Sequence, residues 1–162
     1  MSIYIFSGLI QTGKTTALWE WCNQQENIAG VLMPDINGSR KIFDVNSREV
    51  FDIECIDAAN TKEPLTPVGR FNFYSSAFEK ANSILINAMV QKPHWLVIDE
   101  AGKLEMEGKG FFPAIIKAIP FYDDTNTPGN LLMTVRGSLC NEVISFFKIK
   151  NYRVIDQLED LI

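Results

Sequence analysis

The sequence has few of the residues that build zinc sites and disulfide frameworks. Its three cysteines, Cys22, Cys55 and Cys140, lie far apart, no Cys-x-x-Cys pair occurs, and His94 is the single histidine. A zinc site or a disulfide framework is therefore not expected. Three buried thiols in a cytoplasmic protein are the simpler interpretation.

Basic charge and long hydrophobic segments are also scarce. The chain has 15 Lys and Arg against 20 Asp and Glu, which gives a formal net charge of −5. This balance disfavours nucleic acid or an anionic membrane as the main partner, because both attract basic surfaces. No apolar run approaches the roughly 18 residues of a membrane span, and residues 1–7 lack the length and the basic flank of a signal peptide. We therefore expect a cytoplasmic protein without nucleic-acid or membrane partners.

The length and the apolar content suit one compact domain over residues 1–162. Apolar residues make up 46% of the chain, which is enough for a full core at this length. Short apolar runs without polar alternation are typical of strands that are buried on both faces. Such runs occupy 2–7, 28–33, 95–98, 131–135 and 152–155.

Helical patterns separate these runs. They cover 14–25, 75–90, 113–119 and 139–147, and Ser75 is a candidate N-cap. The alternation predicts an α/β fold with a mostly parallel sheet flanked by helices. Two alternating runs at 41–45 and 49–56 predict an antiparallel hairpin insertion around 41–56. Residues 58–67 indicate a polar connection, and 68–73 indicate a short strand.

A glycine-rich segment follows the first predicted strand. It fits the pattern G-x-x-x-x-G-K-[ST] in full and consists of Gly8, Leu9, Ile10, Gln11, Thr12, Gly13, Lys14 and Thr15, with Thr16 next in the helix. Glycine lets such a loop turn its amides toward a phosphate, and the helix N-terminus adds its dipole. Lys14 is predicted to contact the β and γ phosphates of ATP or GTP, and the Thr15 hydroxyl to bind Mg²⁺. The alternative is a glycine turn with a surface lysine.

An acidic pair, Asp99 and Glu100, ends the apolar run at 95–98. Ligands of open α/β sheets bind beyond the carboxyl ends of the strands, so an acid pair at this point favours a site over a solvated turn. Asp99 is predicted to hold Mg²⁺ directly or through water, and Glu100 to polarise the attacking water.

Two arginines are candidates for a cation at the γ-phosphate. Arg136 directly follows the strand predicted at 131–135, whereas Arg70 lies near the start of its predicted strand. Arg136 is therefore the better candidate, with a surface ion pair as its alternative role. Lys103, Glu105 and Glu107 indicate a solvated loop.

The segment from Val97 to Glu105 reads V-I-D-E-A-G-K-L-E. It resembles the V-I-D-E-x-G-K-[ML]-E signature of the small P-loop nucleoside-triphosphatases first described from thermophilic bacteria, which are also called nucleotide phosphatases or kinases. The phosphate loop, the hairpin, the segment Val68 to Phe71 and Thr134-Val135-Arg136 extend the resemblance over nearly the whole chain. The chain departs from the family pattern at two places. The family usually has glycine at the position of Gln11, and it usually has an Arg-His-type stretch after the T-V strand, where this chain has Arg136-Gly137-Ser138-Leu139.

The resemblance implies a P-loop domain of the RecA and AAA+ type and slow, Mg²⁺-dependent hydrolysis of nucleoside triphosphates to diphosphates. Carried over by position, Lys14 and Thr15 bind phosphate and Mg²⁺, Asp99 and Glu100 are the acidic pair, and Arg136 is the basic residue. Two other functions stay open: a kinase for a small acceptor, and a nucleotide-binding switch. The five arginines are not clustered, which disfavours a kinase lid, and no N-K-x-D or T-K-x-D run is present to recognise guanine.

Overall fold

The computed structural model of the protein describes residues 2–8 and 13–161. Of the predicted phosphate loop, Leu9, Ile10, Gln11 and Thr12 lie outside the described residues. In chain order the strands and helices are β1 (Ile3–Gly8), α1 (Lys14–Asn23), β2 (Ile28–Leu32), β3 (Asp35–Ile36), β4 (Ser39–Asp44), β5 (Val50–Asp52), β6 (Leu65–Val68), β7 (Phe71–Tyr74), α2 (Ser75–Val90), β8 (Trp95–Ile98), α3 (Lys103–Met106), α4 (Phe112–Asp123), β9 (Asn130–Arg136), α5 (Cys140–Phe146) and β10 (Tyr152–Ile155).

Parallel strands form the centre of the main sheet. The strand order is β10-β1-β9-β8-β2-β4-β3, and every neighbouring pair from β10 to β2 is parallel. The predicted α/β fold with a mostly parallel sheet is thereby confirmed. The carboxyl ends of these strands lie along one edge, where ligands of such sheets bind.

The predicted hairpin insertion extends the sheet beyond β2. Strand β4 pairs antiparallel with β2 and β3 on one side and with β5 on the other. Lys41 and Asp52 face each other across β4 and β5 and form an ion pair. The hairpin therefore extends the sheet at its β2 edge, since β2 is the last of the parallel strands.

Helices cover both faces of the sheet, as the apolar strands require. Along β8, Leu96 and Ile98 pack on the side of α2, α4 and α5, whereas Trp95 and Val97 pack on the side of α1. The α1 side also holds the C-terminal 3₁₀ turn Leu158–Leu161. Because both faces are dry, the central strands contain hardly any polar residue.

Two local predictions are corrected by the structure and a third is confirmed. The predicted connection at 58–67 contains β6, which forms a separate two-stranded antiparallel sheet with β7. Ser75 is the first residue of α2 and not its N-cap, and its hydroxyl instead pairs with Thr66 Oγ1 at 2.9 Å. All three cysteines are free and buried, as predicted. In the part of the chain that the structure describes, no helix has the length and apolar character needed to cross a membrane.

Candidate nucleotide-binding site

The ends of three parallel strands place the predicted site residues together. Gly8 at the end of β1 lies opposite Arg136 at the end of β9, and Ile98 at the end of β8 lies opposite Met133. Asp99 and Glu100 directly follow β8. The acidic pair, Arg136 and the first glycine of the phosphate motif therefore lie at one edge of the sheet.

The second half of the phosphate motif begins α1. Gly13 has φ of +73°, a left-handed conformation that glycine adopts without a Cβ clash. The Ala17 amide donates to the Gly13 carbonyl at 3.0 Å, so the regular helical hydrogen bonds begin in the first turn of α1. Lys14, Thr15 and Thr16 follow as the first residues of α1, with Lys14 and Thr15 partly buried and Thr16 exposed.

Asp99 is the buried centre of this edge, with 3% of its surface exposed. Its Oδ2 accepts hydrogen bonds from the Thr15 hydroxyl at 3.0 Å and from the Met33 amide at 3.2 Å. Its Oδ1 accepts from the Thr134 hydroxyl at 2.6 Å. Three donors from three chain segments hold the carboxylate and compensate the cost of burying it.

Glu100 lies beside Asp99 and is only partly buried; the peptide bond between the two residues is cis. Burial raises the pKa of the Glu100 carboxyl, and the neighbouring Asp99 carboxylate raises it further. Three cations oppose this rise in the pKa: Arg136, Lys14 and Arg40. Glu100 is thus an acid in an enclosed position that faces positive charge from three separate elements.

A close approach of two backbones sets the position of Arg136. A Cβ added to Gly137 would lie 2.7 Å from the Gly8 carbonyl oxygen, so a side chain there would push the end of β9 away from the phosphate motif. Arg136 itself is exposed, and its charge lowers the pKa of Glu100. The glycine keeps this arginine beside Gly8.

The comparison with known proteins agrees with this geometry. The sequence model of the NTPase family matches residues 3–154. The chain belongs to this NTPase family. Membership confirms the resemblance predicted from the V-I-D-E segment and connects the chain with the binding and hydrolysis of nucleoside triphosphates. No curated protein sequence matches the chain.

Two solved structures share the fold of this NTPase. THEP1 from the hyperthermophile Aquifex aeolicus superposes with a TM-score of 0.75 at 18% identity, over 99% of this chain and 96% of that chain. A human cancer-related nucleoside triphosphatase gives a TM-score of 0.63 at 17% identity, over 98% of this chain and 89% of that chain. At these identities the likeness concerns the fold.

Arg40 lies beside the candidate site, although sequence analysis did not single it out. Its Nη1 donates to the Met33 carbonyl at 3.0 Å, and the Met33 amide in turn donates to Asp99. This contact holds the guanidinium at the end of β2, close enough to lower the pKa of Glu100. The short hairpin of β3 and β4 brings it there, because Arg40 lies opposite Asp35 across the turn at Asn37-Gly38, and this Asn-Gly pair was the available signal in the sequence. Arg70 instead lies in the turn between β6 and β7, with its guanidinium 5.0 Å from the centroid of the Phe71 ring.

Glu105 is buried and not in a solvated loop, so that prediction was wrong. Only 4% of it is exposed, and its two carboxylate oxygens accept from the amides of Gly102 at 2.9 Å and Phe111 at 3.1 Å. Burial raises its pKa to about 7, against the opposing effect of these two amides. The side chain thus ties the turn after Glu100 to the start of α4.

Proposed function

We propose that the protein hydrolyses nucleoside triphosphates, ATP and GTP among them, to the diphosphate and phosphate with Mg²⁺ as cofactor. The observation that supports this most is the 3.0 Å hydrogen bond from the Thr15 hydroxyl to Asp99. It joins the helix of the phosphate motif to the acidic end of β8 across the sheet. A glycine turn with an unrelated surface lysine would not need this connection.

The two oxygens in this hydrogen bond suit Mg²⁺. Adjacent ligands of an octahedral ion with bonds of about 2.0–2.1 Å lie roughly 2.8–3.0 Å apart, and Thr15 Oγ1 lies 3.0 Å from Asp99 Oδ2. Mg²⁺ prefers a few hard oxygen ligands together with substrate phosphates. When bound, the ion neutralises charge on the β and γ phosphates. Thr15 and Asp99 are therefore the residues that we assign to it.

Binding of the triphosphate is assigned to the phosphate motif. We assign the phosphates to the backbone amides of the motif from Gly8 to Thr16, and Lys14 adds an ammonium for the β and γ phosphates. The N-terminus of α1 carries the positive end of the helix dipole toward the same anion. We assign the affinity for the triphosphate to this part of the site.

Glu100 is assigned as the group that activates water. Its carboxylate accepts a proton from the water while the water oxygen bonds to the γ-phosphorus, and the bond from that phosphorus to the β–γ bridging oxygen breaks. The diphosphate leaves with the bridging oxygen. A base works best when its pKa lies near the working pH, and the Glu100 pKa is shifted upward. Arg136 is assigned to the equatorial oxygens of the γ-phosphoryl group, which carry more negative charge in the transition state.

The test is phosphate release from ATP, GTP, CTP and UTP with Mg²⁺, with and without small-molecule acceptors. We expect release to water from the wild type and a loss of about 10²–10⁴ in rate for Glu100→Gln. Binding should survive in this variant, because Thr15 and Asp99 are unchanged. Glu142→Gln, an exposed residue of α5, is the matched control and should hydrolyse at the wild-type rate.

Three results would contradict the proposal in different ways. Transfer of phosphate to an acceptor in place of water would identify a kinase. Binding without release would identify a nucleotide-dependent switch. Wild-type hydrolysis by Glu100→Gln would remove this residue from the mechanism.

A further inference from the structure

A cavity of about 290 Å³ lies at the edge of the sheet opposite to the phosphate motif. Its walls come from the carboxyl ends of α1 and α2, the first residues of β2 and the turn between β4 and β5. Strand β2 separates it from the edge that holds Asp99, over five residues or roughly 16 Å. The volume is near the lower limit of the range of about 300–1,000 Å³ for sites of organic ligands, so a ligand of this cavity must be small.

The start of β2 forms one wall of the cavity. Strand β4 pairs with β2 at Val31 and Leu32, and the Val45 amide donates to the Gly30 carbonyl at 3.0 Å. Among the described strands, none continues this pairing to Ile28, which lines the cavity. Alternate residues of a strand direct their backbone groups to the same side, so the Ile28 amide and carbonyl point toward the cavity. A bound ligand can supply the hydrogen-bond partners that these groups require.

Arg48 provides the positive charge of the cavity. Among the described residues that line it, Arg48 is the single one with a charged side chain, although the chain has a net charge of −5. Burial raises the pKa of the Cys22 thiol in the wall to about 12, so this thiol stays neutral. The other polar side chains of the wall are amides, namely those of Asn23, Gln25, Asn27, Asn46 and Gln91. The wall therefore attracts a carboxylate and offers neutral donors and acceptors beside it.

The backbone holds Arg48 in a conformation that suits glycine better. Its φ is +64°, in the left-handed region, and its amide donates to the Asp44 carbonyl at 2.8 Å. A residue with a Cβ is strained there, and such strain concentrates at ligand sites. The Arg48 Nη2 donates to Asn23 Oδ1 at 2.9 Å, and the guanidinium lies 5.9 Å from the centroid of the Phe43 ring. The guanidinium has five N–H donors and this bond uses one, so a pair of the others can bind a carboxylate.

The ends of two helices give the same cavity a region of negative potential. Helix α1 ends at Asn23 and α2 ends at Val90, and residues from both ends line the cavity. The carboxyl end of a helix carries roughly −0.5 elementary charge and favours cations. Its last carbonyl groups also accept hydrogen bonds from N–H donors. The cavity thus combines one fixed guanidinium with carbonyl groups that favour an ammonium.

We propose that this cavity binds a small amino acid with an uncharged polar side chain, as its zwitterion. The carboxylate of the ligand pairs with the Arg48 guanidinium, and its ammonium lies at the ends of α1 and α2. Its side chain forms hydrogen bonds with the amides of the wall. The site is independent of the proposed hydrolysis, because none of its residues is assigned to the phosphate motif or to the acidic pair.

The experiment measures the binding of L-glutamine, L-asparagine and L-serine to the full chain by titration calorimetry. Two analogues of the amino acid that binds most tightly test its charged groups. The carboxamide derivative lacks the carboxylate, and the deaminated acid lacks the ammonium. Hydrogen bonds to charged groups are the stronger ones, so we expect each analogue to bind about tenfold or more weakly than the amino acid.

Two variants test the assigned residues. Arg48→Gly removes the guanidinium and suits the left-handed backbone, so it should fold at least as stably as Arg48→Ala and bind about tenfold or more weakly. Asn23→Asp keeps the shape and places a carboxylate against the guanidinium, which should also weaken binding. Arg153→Ala and Asn141→Asp make matched changes of charge at exposed residues of β10 and α5, and both should bind as the wild type does.

The possible results separate the site from its ligand class. Absence of binding by all three amino acids, or wild-type affinity in both Arg48→Gly and Asn23→Asp, would overturn the site. Equal affinity for the amino acid and its deaminated acid, or tighter binding of inorganic phosphate, would identify a simple anion site and overturn the zwitterion. Weaker binding in the two variants at an unchanged or higher melting temperature would support the proposal, because a structural role of Arg48 would lower the melting temperature instead.

Discussion

The Thr134 hydroxyl donates a 2.6 Å hydrogen bond to Asp99 Oδ1, and this leaves Oδ2 to face Thr15. Thr134 lies on β9 and is completely buried, and Asp99 directly follows the adjacent parallel strand β8. The bond therefore sets which carboxylate oxygen points toward the phosphate motif. It makes Thr134 a positioning residue for the metal ligand that we propose.

Replacing Thr134 by valine keeps the shape and removes the donor. A buried acceptor without its partner costs about 1–3 kcal/mol, which corresponds to a melting temperature lower by roughly 2–10 °C. Because Asp99 loses its fixed orientation, the Mg²⁺ concentration for half-maximal hydrolysis should also rise. Thr134→Ser keeps the hydroxyl and should keep the Mg²⁺ dependence. Equal Mg²⁺ dependence in Thr134→Val and the wild type would contradict the positioning role.

Ligand binding should be visible in thermal unfolding. A triphosphate with Mg²⁺ at about 100 times its dissociation constant stabilises the folded state by roughly 2.7 kcal/mol, or about 5–10 °C in melting temperature. Lys14→Ala should lose most of this shift, whereas Lys117→Ala, on the exposed side of α4, should retain it. A wild type that shows no shift with any triphosphate would refute the phosphate site.

Arg136 should affect the rate more than the affinity. If its guanidinium stabilises charge that develops in the transition state, Arg136→Ala reduces kcat on the order of 10²-fold with little change in nucleotide affinity. Arg136→Lys should recover only part of the rate, because an ammonium lacks the planar fork. Normal turnover by Arg136→Ala would assign the stimulating cation to another residue or to a partner.

The pH dependence of hydrolysis should depend on Arg40. Glu100 must be ionised to accept a proton, so kcat/KM rises with pH through its raised pKa. Arg40 lowers this pKa, and its removal therefore raises the pKa and moves the acidic limb of the profile to higher pH. Arg40→Ala should show this displacement, and Arg153→Ala, which changes an exposed arginine of β10, should not. Identical profiles for the two variants would count against electrostatic contact between Arg40 and Glu100.

Glu105 should make the fold less stable as the pH rises. Its pKa is about 7 in the folded protein against an ordinary value of 4.5, so the folded state binds its proton more tightly. The stabilisation is complete below pH 4.5 and is lost as the pH rises through about 7, at about 1.4 kcal/mol for each unit of difference. The free energy of unfolding, measured with denaturant between pH 4.5 and 7.5, should fall less steeply with pH for Glu105→Gln than for the exposed control Glu107→Gln. Parallel curves for the two variants would contradict the raised pKa.

The sequence predicted the features that depend on neighbouring residues. The apolar run before Asp99 and the glycines before Lys14 are local signals, and they located the end of β8 and the start of α1 correctly. The alternation at 41–56 likewise predicted the hairpin. These patterns succeed because burial on both faces excludes polar residues from the strands.

The features that sequence analysis missed depend on pairing between distant segments. Thr134 and the Met33 amide meet Asp99 only because β9 and β2 flank β8. Arg40 is an exception, because it reaches the Met33 carbonyl across the short turn between β3 and β4. Glu105 resembles a solvated acid in a glycine-rich stretch, and only its backbone partners make burial tolerable. The position of Glu105 at the end of the V-I-D-E segment was the one available signal.

The three donors to Asp99 come from chain positions 84, 66 and 35 residues away. Each of these contacts requires the closure of a long loop of chain, so all three depend on the assembled sheet. A molecule in which β2, β9 or the start of α1 has detached therefore loses the geometry of the metal ligand that we propose, even if most helices persist. Bound triphosphate would accordingly stabilise the assembled sheet. The fraction of chains that bind it would then equal the fraction of completely folded molecules in a preparation.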